Sequence, residues 1–83
     1  MATKIFNLQD LGKSIRHERK ARGLSQEDLA MRAMVSRQTI IKIEGGGDVG
    51  AATLIRTLAA MGCVLSVQVN RPDYSELSAM MDE

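Results

Sequence analysis

The chain of 83 residues is predicted to be all-α, a compact bundle of four to five short helices with one β-strand appended on its C-terminal side. Three observations predict this. Polar cap residues, Asn7, Ser25 and Ser36, recur just ahead of apolar positions at helical spacing. Glycines stand where such helices should stop, at Gly23, Gly45 and Gly62. Beyond Gly62 the apolar period falls from about 3.6 to about 2, the period of a strand. A chain this short builds one core with a modest stability surplus, so completion by a second copy is a reasonable expectation.

Helix one should start after Asn7, with Asp10 in the reciprocal position of a capping box and Phe6 placed to staple onto Leu11. Its core face is Leu8, Leu11 and Ile15, and Gly23 supplies the left-handed residue that ends a helix cheaply. Ser25 and Asp28 repeat the start signal, with Leu24 facing Leu29, so helix two runs from about Gln26 to Ala33 and turns Leu29, Ala30 and Ala33 inward. Val35, Ser36 and Ile40 repeat it again and start helix three at Arg37, ending near Glu44. Ile40, Ile41 and Ile43 alone would suggest a strand; the third use of one start pattern decides for a helix. Gly45-Gly46-Gly47-Asp48 is a break too short to join two domains. Helix four begins around Gly50 or Ala51, carries Leu54, Leu58 and Met61 on one face, and stops at Gly62.

In the strand 63–69, Cys63, Leu65, Val67 and Val69 face one way, and Val64, Ser66 and Gln68 the other. A lone strand leaves its backbone donors and acceptors without partners. One partner is the same strand of a second copy, with Val64, Leu65, Ser66, Val67, Gln68 and Val69 forming a two-stranded antiparallel ribbon across a twofold axis. The other is Lys4-Ile5-Phe6 of the same chain. Residues 1–69 thus make the domain. Residues 70–83, with Pro72, Asp73, Glu76, Asp82 and Glu83, are expected to be a flexible acidic tail whose Leu77, Met80 and Met81 could fold on a partner.

The net charge of +1 conceals an asymmetry. Residues 1–44 hold nine Lys or Arg against five Asp or Glu, a balance of +4; residues 45–83 hold two against five, a balance of −3. Positive potential over the first half suits phosphates. Cys63 is the one cysteine, which excludes an intramolecular disulfide and a cysteine-only zinc site and fits a reducing compartment. No apolar run approaches membrane-spanning length, and the first residues lack the apolar stretch of a secretion signal, so the protein is expected in the cytoplasm. An enzyme is not expected, nor a cofactor or metal. There is no ligand cluster and no nucleophile with a base, and the Gly45-Gly46-Gly47 run follows a helix instead of preceding one as in a P-loop. His17, without companions, reads as solvated.

Helices two and three with their tight turn have the form of a helix-turn-helix, whose second helix fits the major groove while the first crosses the phosphate backbone. At Leu11-Gly12-Lys13-Ser14-Ile15-Arg16, Gly23 to Ala30, Val35 to Ile40 and Ile43-Glu44-Gly45, the chain resembles the Xre-type helix-turn-helix family of phage repressors. The resemblance spans residues 8–62 and implies a lambda-repressor-like DNA-binding domain. The strand that follows Met61-Gly62 is similar to HipB-like antitoxins, which implies a strand-mediated homodimer that represses its own operon and binds a HipA-like kinase toxin. Carried over residue by residue, it implies that Arg37, Gln38 and Lys42 read bases and that Ser25, Gln26 and Ser36 hold phosphates. The chemistry agrees: arginine offers guanine two donors, and glutamine satisfies an adenine's donor and acceptor together. Thr39 suits a thymine methyl or a phosphate. Arg19 and Glu44 stand where the family commonly has a structural ion pair; Arg16, Lys20, Arg22 and Arg32 read as ordinary surface charges. Met34 departs from the pattern, standing where the family turn usually has glycine in a left-handed conformation.

The function expected is a repressor of a pseudo-palindromic double-stranded operator, with autoregulation as the antitoxin of a toxin–antitoxin operon. The competing expectations are a stand-alone phage-type repressor and a protein-binding module without DNA readout. Salt separates them, since phosphate contacts weaken steeply as ionic strength rises.

Overall fold

Helices form where the caps place them. The computed structural model describes residues 4–69, and the expectations for the tail 70–83 lie outside the described residues. The elements are α1 (Leu8–Ala21), α2 (Gln26–Ala33), α3 (Arg37–Glu44) and α4 (Ala51–Ala60). At α2 the box is complete: Ser25 Oγ accepts from the Asp28 N–H at 2.9 Å, and the Asp28 carboxylate accepts from the Ser25 N–H at 3.0 Å. The Ser25 N–H, followed by its hydroxyl, favours the charged form and holds the Asp28 carboxyl below its ordinary value. At α3, Ser36 Oγ accepts from the Thr39 N–H at 3.1 Å.

α1 starts at the expected Asn7 cap, but the reciprocal bond and the staple differ. Asn7 Oδ1 does accept from the Asp10 N–H at 2.8 Å, but the Asp10 carboxylate accepts from the Phe6 N–H at 3.3 Å, one residue ahead of the cap. Phe6 is 66% exposed and Leu8 40% exposed, so neither fills the staple or core role assigned to it. Leu8 lies on the inward stripe, but a turn beyond the buried part of the helix, which begins at Leu11.

The core is built from Leu11 and Ile15 of α1, Leu24, Leu29 and Ala30, Ile40 and Ile43 of α3, and Leu58 and Met61. α3 packs on both α1 and α2, and α4 packs on α2. The α1–α3 seam is closest at Gly12, which is buried. A Cβ there would stand 2.5 Å from the Ile43 carbonyl oxygen and 2.7 Å from that of Glu44, so the two backbones meet with no side chain between them. On α4, Thr57 is fully buried and satisfied locally, its hydroxyl donating to the Thr53 carbonyl at 2.9 Å.

The turn between α2 and α3 carries its strain at Met34, with φ 59° and ψ 45°, the one non-glycine with positive φ among the described residues. Its side chain is 82% exposed, so the strain is confined to the backbone. Left-handed backbone costs a side-chain-bearing residue about 1–2 kcal/mol, and glycine's greater unfolded-state freedom offsets about 0.5–1 kcal/mol of the relief. Met34→Gly is therefore expected to raise stability by about 0.5–1 kcal/mol, a gain of several degrees in thermal unfolding for a domain of this size. A lowered Tm would show that the thioether packs in a way its exposure denies.

After the left-handed turn at Gly62 (φ 74°) the chain leaves the bundle. Cys63 is half-buried against the core, with its N–H donating to the Leu58 carbonyl at 2.9 Å. Residues 63–69 form no backbone ladder with any other described residues, so the pairing with Lys4-Ile5-Phe6 considered above is not formed. The two segments instead line an apolar groove floored by Leu11, Ile15 and Leu58.

Candidate nucleic-acid interface

With Ile40, Ile43 and the Glu44 side chain buried, the 3.6-residue period turns one face of α3 outward. Arg37, Gln38, Ile41 and Lys42 are all exposed there, while Ser36 and Thr39 sit at the helix start with their hydroxyls 2.9 Å apart. The α3 amides not used by Ser36 face outward from its N-terminus with the partial positive charge of the helix end.

Behind this surface lies one buried polar cluster. The Arg19 guanidinium meets the Glu44 carboxylate two-pronged, Nε donating to Oε2 at 2.7 Å and Nη2 to Oε1 at 3.1 Å. Its Nη1 donates to the Leu24 carbonyl at 2.8 Å. Gln26 completes the cluster, its Nε2 donating to Glu44 Oε1 at 3.3 Å. Both charged side chains are more than nine-tenths buried, so this is the scaffold pair that the sequence pattern implied. One planar guanidinium thereby joins α1, the α1–α2 turn and the end of α3.

Arg16, Arg19, Ser25, Gln26, Glu27 and Arg37 line a single open, polar depression. It unites the start of α2 with the start of α3. Lys42 lies one turn further along α3 and does not line this depression. Elsewhere, Arg22 pairs with Glu18 on the exposed side of α1, which pulls the Glu18 carboxyl below its ordinary value and raises the guanidinium. Among the described residues there is no group of three or more His, Cys, Asp or Glu able to hold a metal, and no helix long and apolar enough to cross a membrane.

A family model described as Helix-turn-helix matches residues 15–66, well over half of the chain. The chain belongs to the Xre-type helix-turn-helix family. No curated protein matches it significantly. Among solved structures, this helix-turn-helix protein is similar in fold to a HipB variant in complex with an O2 20mer, with TM-score 0.79 and 18% identity over 86% of this chain and 100% of that one. It is similar also to HipB in complex with an O4 20mer (TM-score 0.78, 18% identity, 84% and 100% covered). A chain of the HipA–HipB–O2–O3 complex matches with TM-score 0.77 at the same identity and coverage.

Of the candidate residues, Arg37, Gln38 and Lys42 are exposed on α3, and Ser25, Gln26, Ser36 and Thr39 stand at the starts of α2 and α3. Ile41, 43% exposed, joins Gln38 and Lys42 on this face, as the burial of Ile40 and Ile43 requires of position 41. Arg16, by sequence an ordinary surface charge, lines the polar depression one turn before Arg19. Gln26, for which the resemblance implies a phosphate contact, donates to Glu44, which fixes its orientation.

Proposed function

We propose that this chain is a sequence-specific DNA-binding repressor that acts as a dimer on a pseudo-palindromic operator. In its fuller form it is a cytoplasmic antitoxin that silences its own operon and binds a HipA-like kinase toxin. The observation that carries the proposal is the outer face of α3, where Arg37, Gln38, Ile41 and Lys42 stand exposed together on a helix braced from behind. Arg37 is assigned to guanine O6 and N7, Gln38 to an adenine, Ile41 to a thymine methyl, and Lys42 to a guanine or a phosphate. Ser25, Gln26, Ser36 and Thr39, with the amides of the two helix starts, hold phosphates and set register without reading sequence.

Dimerisation is assigned to Val64, Leu65, Ser66, Val67, Gln68 and Val69. Their apolar side chains are exposed and their backbone makes no ladder within the described chain, the state of a strand whose partner is another copy. The antitoxin role is supported by the likeness of fold to HipB, including the chain solved together with HipA.

Selection from a random duplex pool tests the proposal. The wild type is expected to enrich a palindrome with half-sites about one helical turn apart, or a multiple of it. The Arg37→Ala/Gln38→Ala variant, shown to be folded by its unfolding transition, is expected to lose about 5- to 150-fold in affinity for each base contact removed and to lose the sequence preference. Failure of the wild type to enrich any duplex at moderate salt would overturn the repressor and favour a protein-binding module.

A further inference from the structure

The glycine run after α3 ends at Gly47, whose backbone carries no left-handed requirement, so turn geometry does not account for glycine there. Its surroundings do. The Gly47 N–H donates to the Lys42 carbonyl at 2.8 Å, which folds the loop back against the last turn of α3. The Lys42 side chain then lies along the bare backbone: a Cβ at position 47 would overlap Lys42 Cγ and stand 3.2 Å from its Cε. The stem thus occupies the space that a side chain at 47 would fill, with Cγ and Cε both on that side.

We propose that Gly47 is a positioning residue that seats the Lys42 stem, so that the ammonium at its end reaches DNA from a stem already ordered. This rests on the reading of Lys42 as a DNA contact. A long lysine side chain loses much rotamer freedom when it is fixed on binding; ordering it beforehand removes part of that cost. Alanine at 47 takes the seat, so the lysine must choose another rotamer; its Cβ also stands 3.0 Å from the Lys42 carbonyl oxygen, which the loop relieves by a shift of a few tenths of an ångström. Gly47 therefore acts on DNA affinity chiefly through the Lys42 side chain.

The test combines a double-mutant cycle on the selected duplex with a measurement that needs no DNA. Gly47→Ala is expected to weaken binding roughly two- to tenfold, the range for ordering one long side chain. In a Lys42→Ala background, the same change should cost nothing further. In the free protein, the two Lys42 Hγ protons should give separate NMR shifts that merge in Gly47→Ala, with the unfolding transition confirming that the variant is folded. Equal losses in both backgrounds, or merged Hγ shifts already in the wild type, would overturn the proposal. If no duplex is selected at all, the repressor reading falls and the seat loses its purpose; separate Hγ shifts would then show that the failure lay with DNA binding and not with the Lys42 geometry.

Discussion

Gly12→Ala is expected to destabilise the protein by about 2–3 kcal/mol, near the upper end of the usual range for overpacking. The sign is what makes the measurement informative. In an exposed helix interior, replacing glycine by alanine stabilises by about 1 kcal/mol, and Gly12 lies inside α1. A new methyl 2.5 Å from the Ile43 carbonyl oxygen and 2.7 Å from that of Glu44 faces backbone on the other side of the seam, which has no rotamer to change. The α1–α3 separation must widen, and Leu11, Ile15, Ile40 and Ile43 lose contact together. For a domain of this size the loss corresponds to a fall of about 10–20 °C in Tm. A variant as stable as wild type would mean that the helices separate without cost, and that the seam does not brace α3.

Glu44→Ala is expected to cost about 3–5 kcal/mol, because it leaves the Arg19 guanidinium buried without its counter-charge. Total stability for a chain this short is about 4–12 kcal/mol, so the variant should be largely unfolded well below the wild-type transition. Glu44→Gln keeps the shape and one acceptor and should lie between. Arg19→Lys is not conservative here: an ammonium cannot reach both Glu44 oxygens in plane and the Leu24 carbonyl as well. An Arg19→Met/Glu44→Leu pair should recover part of the loss, since the strongest penalty comes from one charge without the other. Denaturant unfolding of the four variants checks this ordering. Glu44→Ala within 1 kcal/mol of wild type would show that water reaches the guanidinium.

What was legible in the sequence divides along the range of the interactions. The α2 and α3 starts rest on contacts three residues apart, Ser25 with Asp28 and Ser36 with Thr39, and local sequence specifies them. The same local rule placed the α1 cap at Asn7 but not its details: Asp10 bonds Phe6 instead of the cap, and the Phe6 ring remains exposed. Leu8 was assigned inward by its period, but a period does not say where along a helix the neighbouring element stops. Thr57 was invisible because its hydroxyl is satisfied within its own helix, a partner that every threonine in a helix possesses. Of the candidate site, the exposed edge of α3 could be read from the motif. The grip of Glu44 on Gln26, the seam at Gly12 and the seat at Gly47 could not, since each depends on how close two backbones or side chains come in three dimensions.

The Arg19–Glu44 pair also constrains how the sequence can drift. The guanidinium serves three parts of the fold at once, so positions 19 and 44 cannot be altered one after the other without passing through a chain that buries a lone charge. Arg37, Gln38 and Ile41 on the exposed edge of α3 are under no such coupling. This fold can therefore exchange its outward residues freely while the frame that presents them stays locked.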